Sequence, residues 1–368
     1  MPLVKPPELR DAKFDSAEDG LSKAGSALAR IAPANSILVS CIGNLGKVGL
    51  NTIPVAFNQQ INAVFPNPKI AVAEFIFYQV LSDVFRERLN ALASGTTVPI
   101  VNKSKFNSIK VVLPPIPEQK RIVAILDEAF DAIATATANT EKNLANAREL
   151  FESYLDSVFT QKGKGWKETT LGAVCKFHGG SQPPKSVFTL EGGPGKIRLI
   201  QIRDYKSDRH IVYIPRAQAR RFCDESDVMI GRYGPPLFQI LRGLTGAYNV
   251  ALMKAAPDQK VLSREYLFYF LKNRHILRYI IHASNRAAGQ IGLNKETIEP
   301  YPIAFPDLSG QATIVDKLEG MAEQQVVLEN IYRMKLAALA ELKQSILQKA
   351  FAGELTSQPD RALAEAIA

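Results

Sequence analysis

The sequence has no run of eighteen apolar residues, and its opening stretch MPLVKPPELR lacks an apolar core, so neither a membrane span nor secretion is expected. A cytoplasmic protein is the expectation. Cysteine is scarce. Cys41, Cys175 and Cys223 are odd in number and share no metal-ligand spacing, which argues against a disulfide frame and for reduced, buried thiols. The four histidines, His178, His210, His275 and His282, neither pair around a glutamate at helical spacing nor stand near a cysteine cluster, so no zinc site is expected. A Gly-x-Ser-x-Gly elbow, an Asn-Pro-Pro-Tyr-like methyltransferase motif and the spaced acids of a Mg²⁺-dependent nuclease are also missing. The loop Gly43-Asn44-Leu45-Gly46-Lys47 has glycines and a lysine but fails the GxxxxGK[ST] pattern, as does Gly192-Gly193-Pro194-Gly195-Lys196. A plain strand turn or a contact to a DNA backbone suits the first loop better than a nucleotide. These absences describe a chain that binds rather than reacts.

What is present is positive charge, unevenly placed. The formal net charge is +9, which favours a polyanionic partner because lysine and arginine release condensed counterions from nucleic acid. Residues 196–221 hold Lys196, Arg198, Arg203, Lys206, Arg209, Arg216, Arg220 and Arg221 against only Asp204 and Asp208. From Arg264 to Arg286, five basic residues are interleaved with Tyr266, Phe268, Tyr269, Phe270 and Tyr279 around one acid, Glu265. A solvated surface mixes its signs more evenly.

The chain is also written twice. Shifted by 191 or 192 positions, Asn35-Ser36-Ile37-Leu38 falls on Ser226-Asp227-Val228-Met229, Ala56-Phe57-Asn58 on Ala247-Tyr248-Asn249, and Phe75-Ile76-Phe77-Tyr78 on Tyr266-Leu267-Phe268-Tyr269. Asn102-Lys103 then falls on Asn294-Lys295, Gln119 on Gln311 and Phe159 on Phe351. The period is too long for a solenoid, whose units run to roughly 20–50 residues. It implies two copies of a domain followed by a helix. Each copy reads as short strands and loops, an amphipathic helix (Glu74 to Leu89, Arg264 to Tyr279) and a closing strand (Ile109 to Leu113, Ile298 to Phe305). The second copy opens with Gly165-Trp166-Lys167-Glu168-Thr169-Thr170-Leu171-Gly172 and runs about thirty residues before the matching stretch begins; the first shows no such opening.

Two segments carry long helical periodicity. One begins near Pro117 and places Ile122, Leu126, Ala129, Ile133, Leu144, Phe151, Leu155 and Val158 near one face. The other steps four and three through Ile314, Leu318, Met321, Gln325, Leu328, Tyr332, Lys335, Leu339, Leu342 and Ile346, the seam of a coiled coil. Such helices are not stable alone, and a twofold relation between the copies predicts antiparallel packing. Leu126, Ile133, Leu328 and Leu339 are the expected residues of that partner-binding seam. The fold class expected is α+β, with two pseudo-twofold related domains, 1–115 and 163–308, separated by an antiparallel coiled coil of helices 116–162 and 309–355, and a tail, 356–368.

The segment Leu113-Pro114-Pro115-Ile116-Pro117-Glu118-Gln119 heading a long helix resembles the conserved region of the specificity subunits of type I restriction-modification systems. Phe305-Pro306 to Gln311 is a weaker version lacking the second Pro and the Glu. Gly165-Trp166 with Leu171-Gly172, the Asn58-Gln59-Gln60 triplet and the Ser94-Gly95-Thr96-Thr97 loop resemble that family's target-recognition domains. The resemblance implies that two recognition domains each read half of an interrupted double-stranded DNA sequence while the helices set the spacer and dock the partner subunits. It further implies that this chain holds no cofactor. S-adenosylmethionine would sit in modification subunits that methylate adenine, and ATP and Mg²⁺ in partner subunits that include the restriction (motor-nuclease) subunit. The first domain looks truncated at its start, and a second specificity chain could then restore two complete readers.

Charge and expected loop position nominate Lys47, Arg86 and Lys103 in the first copy, and Arg198, Arg203, Arg232, Arg242, Arg274 and Arg286 in the second, as DNA-binding residues. Arginine can read guanine edges bidentately, whereas lysine anchors phosphate. Rival readings are a coiled-coil scaffold for protein partners and an endonuclease with a degenerate metal site.

Overall fold

A computed structural model of the chain describes residues 1–286 and 292–356. The first half contains β1 (Pro2–Val4), β2 (Ala12–Phe14), β3 (Asp19–Gly20), β4 (Ile31–Ala32), β5 (Ser36–Ser40), β6 (Val48–Asn51), β7 (Val55–Phe57) and β8 (Ile61–Val64). With them are α1 (Lys23–Leu28), α2 (Ala73–Leu81), α3 (Asp83–Ala91), α4 (Lys103–Asn107) and the long α5 (Ile116–Thr160). The second half contains β9 (Lys167–Thr170), β10 (Cys175–Gly179), β11 (Lys196–Ile200), β12 (Tyr213–Pro215), β13 (Phe222–Cys223), β14 (Val228–Gly231), β15 (Gln239–Leu241), β16 (Gly246–Tyr248), β17 (Leu252–Pro257) and β18 (Pro302–Phe305). Its helices are α6 (Leu171–Val174), α7 (Arg264–Lys272), α8 (Arg274–Arg286), α9 (Lys295–Ile298) and the long α10 (Leu308–Phe351).

The chain divides into two compact units, Met1–Lys142 with the chain from Tyr332 onward, and Asn143–Ile331. Each unit takes part of both long helices. In the first, the opening turns of α5 lie with the closing turns of α10: Ile122, Leu126, Leu347 and Ala350 share a core with α2, and the Lys343 ammonium sits 4.9 Å from the Phe130 ring. In the second, the end of α5 meets the start of α10 through Phe151, Leu155, Val315 and Leu318, and Arg148 grips Glu329 with two hydrogen bonds of 3.0 and 2.9 Å. The helices therefore run antiparallel within each unit. A row of buried and half-buried positions on α10 passes through Val315, Leu318, Ala322, Gln325, Glu329, Tyr332, Leu336, Leu339 and Lys343. This row lies one position away from much of the seam read from hydropathy. Leu126 is fully buried and Ile133 and Leu339 are half-buried, but Leu328 is 38% exposed. The row is displaced because polar and small side chains, not only leucines, occupy it.

The sheets repeat. The order β3-β1-β7-β4 in the first unit matches β12-β11-β16-β13 in the second, with the same parallel central pair, β1 on β7 and β11 on β16. The run β6-β5-β8 likewise matches β15-β14-β17. The duplication thus reaches further back than residue 35: β1 stands where β11 does. No element of the first unit matches β9, α6 and β10 among the described residues.

Local chemistry explains the recurring elements. Asn102 and Asn294, paired by the repeat, are helix N-caps whose side chains accept from the Lys105 and Thr297 N–H groups. Ser82 caps α3, and Asn273, its counterpart, accepts from the His275 and Ile276 N–H groups at the start of α8. Expected elements differ in two ways. The single helices expected over Glu74 to Leu89 and Arg264 to Tyr279 are each two, α2 with α3 and α7 with α8, because Ser82 and Asn273 have extended backbone and cap the second helix of each pair. The closing strand differs as well. Residues 109–113 form no strand, whereas their counterpart β18 does, because β18 pairs antiparallel with β9 and the first unit offers no matching partner.

Candidate nucleic-acid interface

In each unit the strand of the parallel pair leads into a short capped turn. Leu3 and Val4 run into the 3-10 turn Pro6–Glu8, where the Glu8 carboxylate accepts from the Lys5 N–H at 2.6 Å. Leu199 and Ile200 run into the turn Ile202–Tyr205, where the Asp204 carboxylate accepts from the Gln201 N–H at 3.0 Å. The capping box fixes both turns identically. The side chains they present differ: Lys5, whose ammonium pairs with Asp19, and Pro7 in the first, Gln201 and Arg203 in the second.

The second turn borders an open cleft of about 900 Å³ lined by Gln182, Lys185, Phe188, Gln201 and Arg203. Arg203 is exposed and has no ion-pair partner among the described residues. An arginine and two amides beside one cleft are the donors and acceptors that read guanine and adenine edges. A second basic group lies on the sheet. His178 and Lys254 face each other across β10 and β17, with Lys176 and Arg221 close enough that burial first, and then these three cations, hold the His178 imidazole below its ordinary range. Sequence reasoning missed Gln182, Gln201 and Lys176. The Gly-Gly-Ser-Gln-Pro-Pro run at 179–184 was their only local signal.

The nominated basic residues fall into two groups. Lys47 and Lys103, like Arg203, have side chains without an ion-pair partner among the described residues. The rest of the described ones are held by the protein itself. Arg86 pairs with Asp11. Arg198 pairs with Asp208 at 3.1 Å, and its Nε is buried without a partner. Arg232 donates to the Leu293 and Val250 carbonyls at 2.8 and 3.2 Å, tying two loops together. The Arg242 guanidinium lies 4.2 Å from the Phe268 ring and 3.4 Å from Glu319 of α10. Arg274 begins α8 and is fixed to Asp156 of α5, which also accepts from its N–H. The side chain of Arg286 lies outside the described residues.

The Gly43–Lys47 loop is a strand turn. Gly43 and Gly46 both sit at φ +77, a conformation that favours glycine. Three of its amides are committed within the unit: Gly43 N–H to Pro99 O, Gly46 N–H to Ser40 O and Lys47 N–H to Ser40 Oγ. All three thiols are buried, and desolvation raises Cys41 to about 11, Cys175 to about 12 and Cys223 to about 11. Among the described residues, no three His, Cys, Asp or Glu side chains are grouped to hold a metal ion, and no helix is long and apolar enough to cross a membrane.

A duplicated frame that offers different basic and amide side chains from equivalent turns defines a recognition protein. The chain belongs to the type I restriction modification DNA specificity domain family, whose sequence model matches residues 20–146 and 163–332. It is a specificity subunit, the non-catalytic recognition component of such systems. It is 21% identical to the StySPI specificity subunit of Salmonella potsdam over 97% of this chain and 83% of that protein. Identity to the EcoKI specificity subunit of Escherichia coli (strain K12) is also 21%, with the same coverage. The fold is shared with a chain from a type I R-M system studied for complex assembly (TM-score 0.74, 23% identity, 88% of this chain and 83% of that one). It is shared too with the HsdS subunit from Thermoanaerobacter tengcongensis (TM-score 0.56, 23% identity, 89% and 83%).

Proposed function

We propose that this specificity subunit reads an interrupted double-stranded DNA sequence in the cytoplasm, one half with each unit, and docks modification and restriction subunits. The observation that carries this reading is the pair of equivalent capped turns, which hold different side chains in one frame and so suit two different half-sites. The turn Gln201–Tyr205 with Gln182 and Lys185 would read one half-site, and Lys47 and Lys103 would contact the other. Docking would use the long helices. Val326, Val327, Leu328 and Ile331 form an exposed apolar stretch of α10 that suits a protein partner. In this reading S-adenosylmethionine, ATP and Mg²⁺ are brought by the partners, and adenine is the base modified.

The test is methylome sequencing of a host expressing this chain with its modification subunit, against a host lacking the chain. New adenine methylation at one interrupted motif supports the reading. A continuous half-motif or a palindrome overturns the assignment of both units as readers, and no new methylation from a stable complex overturns the DNA-reading role.

A further inference from the structure

On β10, Cys175 and Phe177 are buried and Lys176 is exposed, so Lys176 and His178 share the face turned away from the core. Tyr248, 1% exposed, ties this face to the chain entering β13: its N–H donates to Arg221 O at 3.1 Å and its hydroxyl to His178 O at 3.2 Å. Lys254, opposite His178 on β17, donates to Phe222 O at 3.0 Å and holds the same segment. These bonds set Arg221 close enough to His178 for its charge, with those of Lys254 and Lys176, to act on the imidazole.

The acid beside the group is already used. Asp227 is buried and pairs with Lys254 at 3.0 Å and Arg264 at 3.6 Å. The Arg232 guanidinium lies next to Gly179, at the end of the same strand, and adds charge of the same sign. Among the described residues, the side chains of Lys176, His178 and Arg221 have no hydrogen-bond or ion-pair partner. Like charges gathered on one face attract an anion. Burial first, and then Arg221, Lys254 and Lys176, hold the His178 imidazole below its ordinary range, so it is neutral at pH 7 in the free chain.

The chain runs from this group straight to the cleft that carries Gln201 and Arg203. After His178 it continues through Gly180 and Ser181, whose N–H groups donate to Leu252 O and Tyr248 O at 2.9 and 3.2 Å, to Gln182 on the cleft wall. Glycine is required at position 180, because a Cβ there would lie 1.9 Å from Asn249 O. From His178 to Gln182 the chain reaches at most about 14 Å, or about four base steps along one DNA strand. A duplex with a base edge at Gln182 brings its phosphates within reach of the cationic group.

We propose that Lys176, His178 and Arg221 form a seat for a phosphate of the DNA backbone, flanking the reading cleft, and that His178 takes up a proton when the seat is filled. This rests on the specificity reading above and adds to it a sequence-independent anchor with its own pH dependence. Lys254 stays with Asp227 and positions the seat. The imidazolium pairs with phosphate and the neutral ring does not, so DNA affinity rises as pH falls.

The experiment measures, by fluorescence anisotropy, the affinity of the full chain for a duplex carrying its methylated motif and for one of the same length and scrambled sequence. For K176Q and for R221Q, the slope of log affinity against log salt should shrink by about 1, equally on both duplexes, as for a lost phosphate contact. The unaltered chain should bind about fivefold more tightly at about pH 5.5 than at about pH 7.5, and H178Q should lose that gain. NMR of the unaltered chain gives a readout that no substitution disturbs: the His178 imidazole should titrate at higher pH with duplex bound than without. Unchanged salt slopes, a pH gain that survives in H178Q, or an unmoved His178 titration overturns the proposal. If the unaltered chain prefers its motif and the variants match it in salt and pH dependence, the phosphate seat alone is refuted. If the salt and pH effects are found without any preference for the motif, the specificity reading is refuted and the seat stands.

Discussion

Gln119 and Gln311 make the same three hydrogen bonds in the two units. Gln119 accepts from Val72 N–H at 2.8 Å and donates to Ile70 O at 2.9 Å and Pro114 O at 2.7 Å. Gln311 accepts from Ser263 N–H at 2.8 Å and donates to Val261 O at 2.7 Å and Pro306 O at 2.9 Å. Both side chains are fully buried. Each clamps the first turns of a long helix to the loop before α2 or α7, and so orients a recognition unit on its helix. Alanine at either position would strand three buried backbone groups, at a cost of about 3 kcal/mol. Urea unfolding of Q119A and Q311A should show that loss, and a loss under 1 kcal/mol in both would refute the clamp.

Charge placed on the helices should act differently at the two leucines. Leu126 is fully buried, so L126D should destabilise the first unit by about 4 kcal/mol or more. Leu328 is 38% exposed, so L328D should leave thermal unfolding nearly unchanged while weakening assembly with the modification subunit. Size-exclusion chromatography with light scattering, alongside calorimetry, separates the two effects.

The arginines should divide likewise. Arg203 has no ion-pair partner among the described residues, so R203A should weaken DNA binding by about 1–3 kcal/mol without loss of stability. Arg232 joins two loops through carbonyl bonds, so R232A should lower stability. Filter binding over a salt series and urea unfolding on the same preparations check the pair.

The thiols should be inert. Burial keeps Cys41, Cys175 and Cys223 protonated at neutral pH, so a thiol-exchange reagent should react with them only after denaturation. Fast reaction of the native chain would show that one of them is open to solvent.

Much of the fold was legible because it is periodic. The repeat exposed two copies, the apolar spacing exposed α5 and α10, and Asn102 with Asn294 proved to be caps, whose role depends on a few neighbouring residues. The seam on α10 was displaced because hydropathy favours Leu328 and Leu342, while contact is made through Glu329 and Lys343, whose suitability depends on their partners Arg148 and Phe130. Correspondence of β1 with β11 was invisible, since two-residue pairings leave little pattern in sequence.

The candidate interface divided along the same line. Charge density pointed to a polyanionic partner, but charge carries no ion-pair partner with it: Arg86, Arg242 and Arg274 are bound to acids distant in the chain, Arg198 to Asp208 ten residues on, and Arg203 to none among the described residues. The sequence by itself determined the duplication, the helices, the family and the positive charge, because each is a regularity repeated along the chain. Only the tertiary structure decided which arginines remain available, which face of α10 is packed and which closing segment pairs as a strand, because these depend on contacts between residues far apart in the chain.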